Sequence, residues 1–166
     1  MDRKILWVGI GAFLFVALAE FAALLFLNPP GFRGAAYMEP LPPAPEIELT
    51  QADGGTFRLS DQRGRIVLLF FGYTSCPDVC PTTLAGLKLV LEELGDKAGS
   101  VQVLFISIDP GRDTPERAQE YVNHFDPSFI GLSGSQAELE KIWKDYGVFR
   151  EIVEGASAAE IGRAHV

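Results

Sequence analysis

Two cysteines, two histidines and fourteen lysine-plus-arginine residues are few for a chain of 166 residues, and each scarcity excludes something. Two cysteines build neither a disulfide-stapled scaffold nor a four-cysteine zinc site, so they are read as a pair or not at all. Against 22 Asp and Glu the basic residues leave a net charge of −8. The same excess, eighteen acidic against ten basic residues, falls within Glu46 to Ala159. An acidic domain repels phosphate backbones, which excludes nucleic acid as the expected partner. Internal repeats are also lacking. An apolar content of 48% with 11% aromatics excludes a disordered chain. With the apolar N-terminal stretch set aside, about 115 to 120 residues remain, enough for one core and too few for a second domain.

After Met1-Asp2-Arg3-Lys4, the run Ile5 to Leu27 carries a single charge, Glu20. At about 1.5 Å per residue it reaches about 34 Å, slightly more than a hydrocarbon core of about 30 Å. The run therefore predicts one transmembrane helix. Arg3 and Lys4 precede it and only Arg33 follows closely, so the positive-inside bias keeps residues 1–4 in the cytoplasm. The expected location is a bacterial inner membrane, with the globular part facing the periplasm or exterior. The competing reading is a cleaved signal peptide, because Ala17-Leu18-Ala19 has the small-x-small form of a cleavage site. Glu20 either meets a partner helix or snorkels towards the interface.

Residues 28–45 hold six of the eleven prolines and read as an extended tether. Beyond it, Ile47-Glu48-Leu49 and Thr56-Phe57-Arg58-Leu59 alternate apolar and polar around Asp53-Gly54-Gly55, a hairpin pattern. Ile66 to Phe71 and Val103 to Ile106 are unbroken apolar runs, which suit strands buried on both faces of a parallel sheet. Helical spacing follows each: Leu84, Leu87, Leu91 and Leu94 after Pro81; Ala118, Tyr121, Val122 and Phe125; Leu139, Ile142, Trp143 and Tyr146. Thr114-Pro115 and Ser135 with Glu138 are start signals, the latter a capping box. Phe129 to Leu132 predicts a short third strand. The pattern is α/β, with right-handed crossovers.

The chemistry concentrates in Phe70-Phe71-Gly72-Tyr73-Thr74-Ser75-Cys76-Pro77-Asp78-Val79-Cys80-Pro81-Thr82-Thr83, where the first buried strand hands over to the first helix. Backbone N–H groups at a helix start are unpaired and favour thiolate over thiol. A helical or helix-like turn puts Cys76 and Cys80 on one face, about 6 Å apart. Three readings compete. A structural disulfide would close a five-residue loop and contribute only about 2 kcal/mol. A redox couple is compatible with an oxidising compartment, although the familiar oxidoreductase spacing has two intervening residues rather than three. A metal site with two soft sulfurs selects Cu(I) over Mg, Ca or Mn, and one imidazole would complete trigonal coordination.

These segments, together with Phe105-Ile106-Ser107-Ile108-Asp109-Pro110, Arg112-Asp113-Thr114-Pro115 and Phe125-Asp126-Pro127-Ser128-Phe129-Ile130-Gly131-Leu132, resemble the SCO/SenC family of membrane-tethered, thioredoxin-like proteins. The similarity runs from about Pro42 to Glu151. The resemblance implies a thioredoxin-like α/β domain over residues 46–159. It also implies copper, as Cu(I) or Cu(II), held by Cys76 and Cys80 for delivery to the copper-bearing subunit of cytochrome c oxidase, or a dithiol–disulfide cycle acting on that subunit. Asp109 falls at the C-terminal edge of the sheet, where α/β sites gather. A role behind the copper ligands, and a helix-capping or turn role together with Asp113, both stay open.

The family also takes a histidine ligand from a downstream Asp-His-Ser type of motif, and this chain has none. His124 falls on the helix of Tyr121 and Phe125 and reads as an ordinary exposed histidine. His165 lies in Glu160-Ile161-Gly162-Arg163-Ala164-His165-Val166. The codons GAG ATC GGA AGA GCA CAC GTC for that tail contain AGATCGGAAGAGCACACGTC, which resembles a sequencing-library adapter. The expectation is therefore a non-native tail over 160–166 and a domain incomplete at its C-terminus. Such a domain would lack its last strands, leaving sheet surface uncovered and prone to aggregation. Three functions follow: a copper chaperone, a thiol–disulfide oxidoreductase, and a peroxiredoxin-like peroxidase. The last ranks lowest, because that family resembles Pro-x-x-x-Thr-x-x-Cys whereas Thr82 and Thr83 follow Cys80 here.

Overall fold

The structure, a computed structural model, describes residues 7, 10, 12–21 and 41–149. Residues 12–21 are helical. No helix among the described residues is long and apolar enough to cross a membrane. Residues 5, 6, 8, 9, 11 and 22–27 of the expected span, most of the tether, residues 150–159, the 160–166 tail and His165 lie outside the described residues.

The domain opens with the expected hairpin. Strands β1 (Glu48–Thr50) and β2 (Thr56–Arg58) pair antiparallel, with Leu49 opposite Phe57, and both of these side chains are buried. Gly54 takes φ +82°, a conformation that L side chains rarely adopt, and Asp53 Oδ1 accepts from Gly55 N at 2.8 Å to fix the turn. A 3-10 turn over Leu59–Gln62 leads into the main sheet.

That sheet contains β3 (Ile66–Gly72), β4 (Val101–Ser107) and β5 (Ile130–Leu132), all parallel and in spatial order β3-β4-β5. Crossovers run through α1 (Val79–Leu94) and α2 (Pro115–Asn123), and α3 (Gln136–Asp145) follows β5. Residues alternate across β4: Val101, Val103 and Phe105 join Leu84, Leu91, Ala118, Val122 and Phe129 in one cluster. Leu104 and Ile106 turn the other way, to Leu49, Phe57, Leu139, Ile142 and Trp143. The sheet is thus sandwiched, α1 and α2 on one face and the hairpin with α3 on the other.

Double-faced burial holds for β4, in which every residue is buried, and fails for β3. In β3 only Gly72 is buried, and Ile66 is 60% exposed. The physical reason is position rather than composition: among the described residues β4 has a paired strand on each side, whereas β3 pairs with β4 alone. The helix starts match expectation. Thr114 Oγ1 accepts from Arg117 N ahead of Pro115, and Ser135 and Glu138 form the reciprocal capping box. The first helix begins at Val79, before Pro81, because proline is tolerated in a first turn whose N–H groups have no intrahelical acceptor.

Strand β5 sits so close to α2 that a Cβ built on Gly131 would lie 2.3 Å from the Ala118 carbonyl oxygen. Gln119 bridges the same contact, accepting from Gly131 N at 2.9 Å and donating to the Phe129 carbonyl at 2.9 Å. Gly131→Ala must push backbone from backbone, and overpacking of this kind costs about 1–3 kcal/mol. Urea denaturation is expected to show that loss, with the midpoint lowered and the slope unchanged.

Candidate metal and redox site

The site is built where β3 ends. Past Gly72 the chain turns, with Cys76 N donating to the Tyr73 carbonyl at 3.2 Å, and α1 starts three residues beyond Cys76. Cys76 therefore lies in the turn ahead of the helix and Cys80 in its first turn, not both within a helix. Asp78, in the N-cap position, makes no side-chain cap. The Cys76 sulfur occupies that place instead: Cys80 N donates to it at 3.4 Å, and Asp78 N is a second backbone donor. A polarisable sulfur thus accepts N–H groups at the start of a 16-residue helix.

Both thiols are free, and they are hydrogen-bond partners of one another. Their surroundings differ. Cys76 is partly exposed, whereas Cys80 is 5% exposed and packs beneath α1 on the sheet. Room for the Cys80 sulfur comes from Gly72, where a Cβ would lie 3.1 Å from that sulfur and 2.9 Å from the Phe105 ring. Burial pushes the Cys76 thiol up, but the N–H donors of Asp78 and Cys80, followed by the Cys80 thiol and the Tyr73 hydroxyl, outweigh it and leave its pKa lowered. For Cys80, burial dominates; the backbone N–H of Tyr73 opposes it, the Cys76 sulfur and the Asp113 carboxylate add to it, and the thiol is pushed up to about 12. Tyr73 is 8% exposed, and burial, then the charge of Cys76, push its hydroxyl up to about 12. One sulfur is a ready thiolate and the other a protected thiol.

The structure brings Cys76 and Cys80 together and leaves the other candidates outside. Asp109 makes a turn: its carbonyl accepts from Arg112 N and Asp113 N, and its carboxylate pairs with the Arg112 side chain. Of the two readings open for it, the turn role is the one its contacts match. His124 ends α2, exposed, with Nδ1 at 2.8 Å from the Glu120 carbonyl. Among the described residues no group of three His, Cys, Asp or Glu side chains is placed to hold a metal ion. Two sulfurs of unlike acidity are the donor set, and such donors suit a soft monovalent ion. Sequence reasoning missed Tyr73, which lies between the strand and the cysteines and serves both sulfurs, its hydroxyl one and its N–H the other. Its position in the motif was visible; its direction depends on the turn.

Iodoacetamide labelling of the reduced protein across a pH series tests this asymmetry. Cys76 is expected to react first, its rate rising at lower pH than that of an ordinary cysteine, because backbone N–H donors stabilise its thiolate. Cys80 is expected to stay unmodified until about pH 12. Tyr73→Phe removes a donor to the Cys76 thiolate, so the Cys76 midpoint is expected to move upward; peptide mass spectrometry reads both positions.

The family model described as SCO1/SenC matches residues 39–165. The SCO2-like protein of Rickettsia felis is 38% identical over 110 residues, covering 66% of this chain and 54% of the relative. The chain spans about half the length of the curated relatives it matches. Among solved structures, apo Sco1 from Thermus thermophilus is 45% identical with a TM-score of 0.63, over 69% of this chain and 67% of that one. The copper-bound ScoI of Bradyrhizobium japonicum is 38% identical with a TM-score of 0.67, over 74% and 78%. With the match extending over residues 39–165 and the fold shared, this chain belongs to the SCO1/SenC family and carries its thioredoxin-like α/β fold.

Proposed function

We propose that the chain carries Cu(I) on Cys76 and Cys80 and hands it to the copper-bearing subunit of cytochrome c oxidase during assembly. The anchor is the apolar run Ile5 to Leu27 in a bacterial inner membrane, with the domain on the periplasmic or exterior side. The observation that carries this reading is the pair of sulfurs at the start of α1, one partly exposed and supplied with N–H donors, the other buried on Gly72. A soft ion is matched by soft thiolates, and an exposed sulfur gives an acceptor protein a point of attack. The copper-bound Bradyrhizobium relative supports the choice of metal. Copper is cargo in this reading, and binding releases the proton of any sulfur that enters as a thiol.

A second reading rests on the difference in acidity between the two sulfurs. A thiolate at Cys76 attacks a partner disulfide, forming a mixed disulfide and releasing one partner thiolate. Cys80 then loses its proton and displaces the second partner thiolate. The chain ends as the Cys76–Cys80 disulfide, two electrons having passed to the partner.

Anaerobic Cu(I) titration against a competing chelator separates the two, run beside a measurement of the reduction potential. One tightly held copper per chain is expected, lost on Cys76→Ser or Cys80→Ser. Negligible copper affinity, together with a reversible disulfide and turnover on an oxidised partner peptide, would overturn the carrier in favour of the reductase.

A further inference from the structure

The buried carboxylate of Asp113 is neither ligand nor nucleophile in the proposed chemistry, yet the C-terminal ends of all three parallel strands converge on this residue. Asp113 is 1% exposed. Its Oδ2 accepts from Thr74 N at 3.0 Å, two residues past β3, and from Ser107 Oγ at 2.7 Å, at the last residue of β4. Its Oδ1 accepts from Thr74 Oγ1 at 2.5 Å. Its own backbone is tied at both ends: the N–H donates to the Asp109 carbonyl at 2.9 Å, and the carbonyl accepts from Ser133 Oγ at 2.5 Å, just past β5. Arg117, from α2, donates through Nε to Thr74 Oγ1 at 3.0 Å. The Thr74 hydroxyl is therefore held as donor and as acceptor at once.

The segment so held is the one that carries Cys76. Between Gly72 and α1 the segment is also tied by the Cys76-to-Tyr73 turn, by the Tyr73 N–H to the Cys80 sulfur and by the Asp78 N–H to the Cys76 sulfur, while Gly72's own carbonyl accepts from Ile108 N at 2.8 Å. A turn of this kind, with Pro77 beyond it, does not by itself set the distance between a sulfur ahead of the helix and one inside it. We infer that Asp113, acting through Thr74, is the positioning residue that holds the Cys76 sulfur against the start of α1 and so sets the geometry of the sulfur pair. The inference rests on the reading of Cys76 and Cys80 as the copper-binding pair. Hydrogen bonds to a carboxylate are among the stronger ones, and a buried donor left without its acceptor costs more than the bond itself.

Thr74→Val tests it most cleanly, because valine keeps the shape and the backbone N–H while deleting the hydroxyl. Thr74→Ser is the conservative rescue. On the reduced full chain, Thr74→Val is expected to weaken Cu(I) binding about tenfold, as read by chelator competition. Amide hydrogen exchange should quicken at Thr74, Ser75 and Cys76 and stay unchanged in β4 and α2; Thr74→Ser should return both readouts towards the parent. Asp113→Asn replaces one acceptor oxygen by a donor facing Thr74 N or Ser107 Oγ, so it should act in the same direction and more strongly. If Asp113→Asn fails to fold, the Thr74 pair decides alone. Parent-like affinity and exchange in Thr74→Val would sink the inference, and so would a loss that Thr74→Ser does not repair. Cys76→Ser with Cys80→Ser is the separate control: should that double variant bind copper as the parent does, the copper reading fails. The exchange at residues 74–76 then decides whether the clamp exists.

Discussion

The meeting of a sulfur atom with the open end of a helix is the contact on which the rest of the site depends. The first N–H groups of α1 have no intrahelical acceptor, and the residue in the N-cap position offers none. The Cys76 sulfur takes the N–H of Cys80, in the first turn, and that of Asp78 just ahead of it. That arrangement satisfies the helix and lowers the cost of a negative sulfur together, so the element that needs a cap and the atom that needs a counter-dipole solve one another's problem.

The sheet makes this contact possible. Strand β4, buried along its whole length, holds β3 in a register that pairs Phe70 with Phe105 and Gly72 with Ser107. Gly72 then lies under α1 with no side chain, and the Cys80 sulfur settles into the space. One residue further, Tyr73 turns its hydroxyl to Cys76 and its N–H to Cys80. The site stands at the C-terminal ends of parallel strands, where loops converge and backbone groups are not used up by the ladder. Asp113 collects the loops from those ends into one buried knot.

The separation of the two sulfurs in acidity has the same origin. They are four residues apart and chemically identical, yet one faces N–H donors at the edge of the protein and the other faces an apolar sheet. Desolvation acts on both; hydrogen bonding compensates it fully only at Cys76. Exposure, acidity and reach towards a partner therefore fall on one atom, and retention falls on the other.

Much of this was legible in the chain. Asp53-Gly54-Gly55 announced the hairpin, Thr114-Pro115 and Ser135 with Glu138 announced two helices, and the cysteine motif marked the candidate site, because each is a local signal whose partners lie within a few residues. The apolar runs Ile66 to Phe71 and Val103 to Ile106 looked alike, and only the strand order among the described residues left one half-buried and made the other a core. Tyr73 stood inside the motif, but its direction depends on the turn; Asp113 was legible as a turn or capping residue with Asp109, but not its hold on Thr74, which lies 39 positions away. By itself the sequence determined which elements form and which two sulfurs could act, as periodicity, caps and spacing are written over a few neighbouring residues. The tertiary structure alone decided which sulfur is exposed and which carboxylate holds the loop, because burial and hydrogen-bond direction exist only once distant segments have packed.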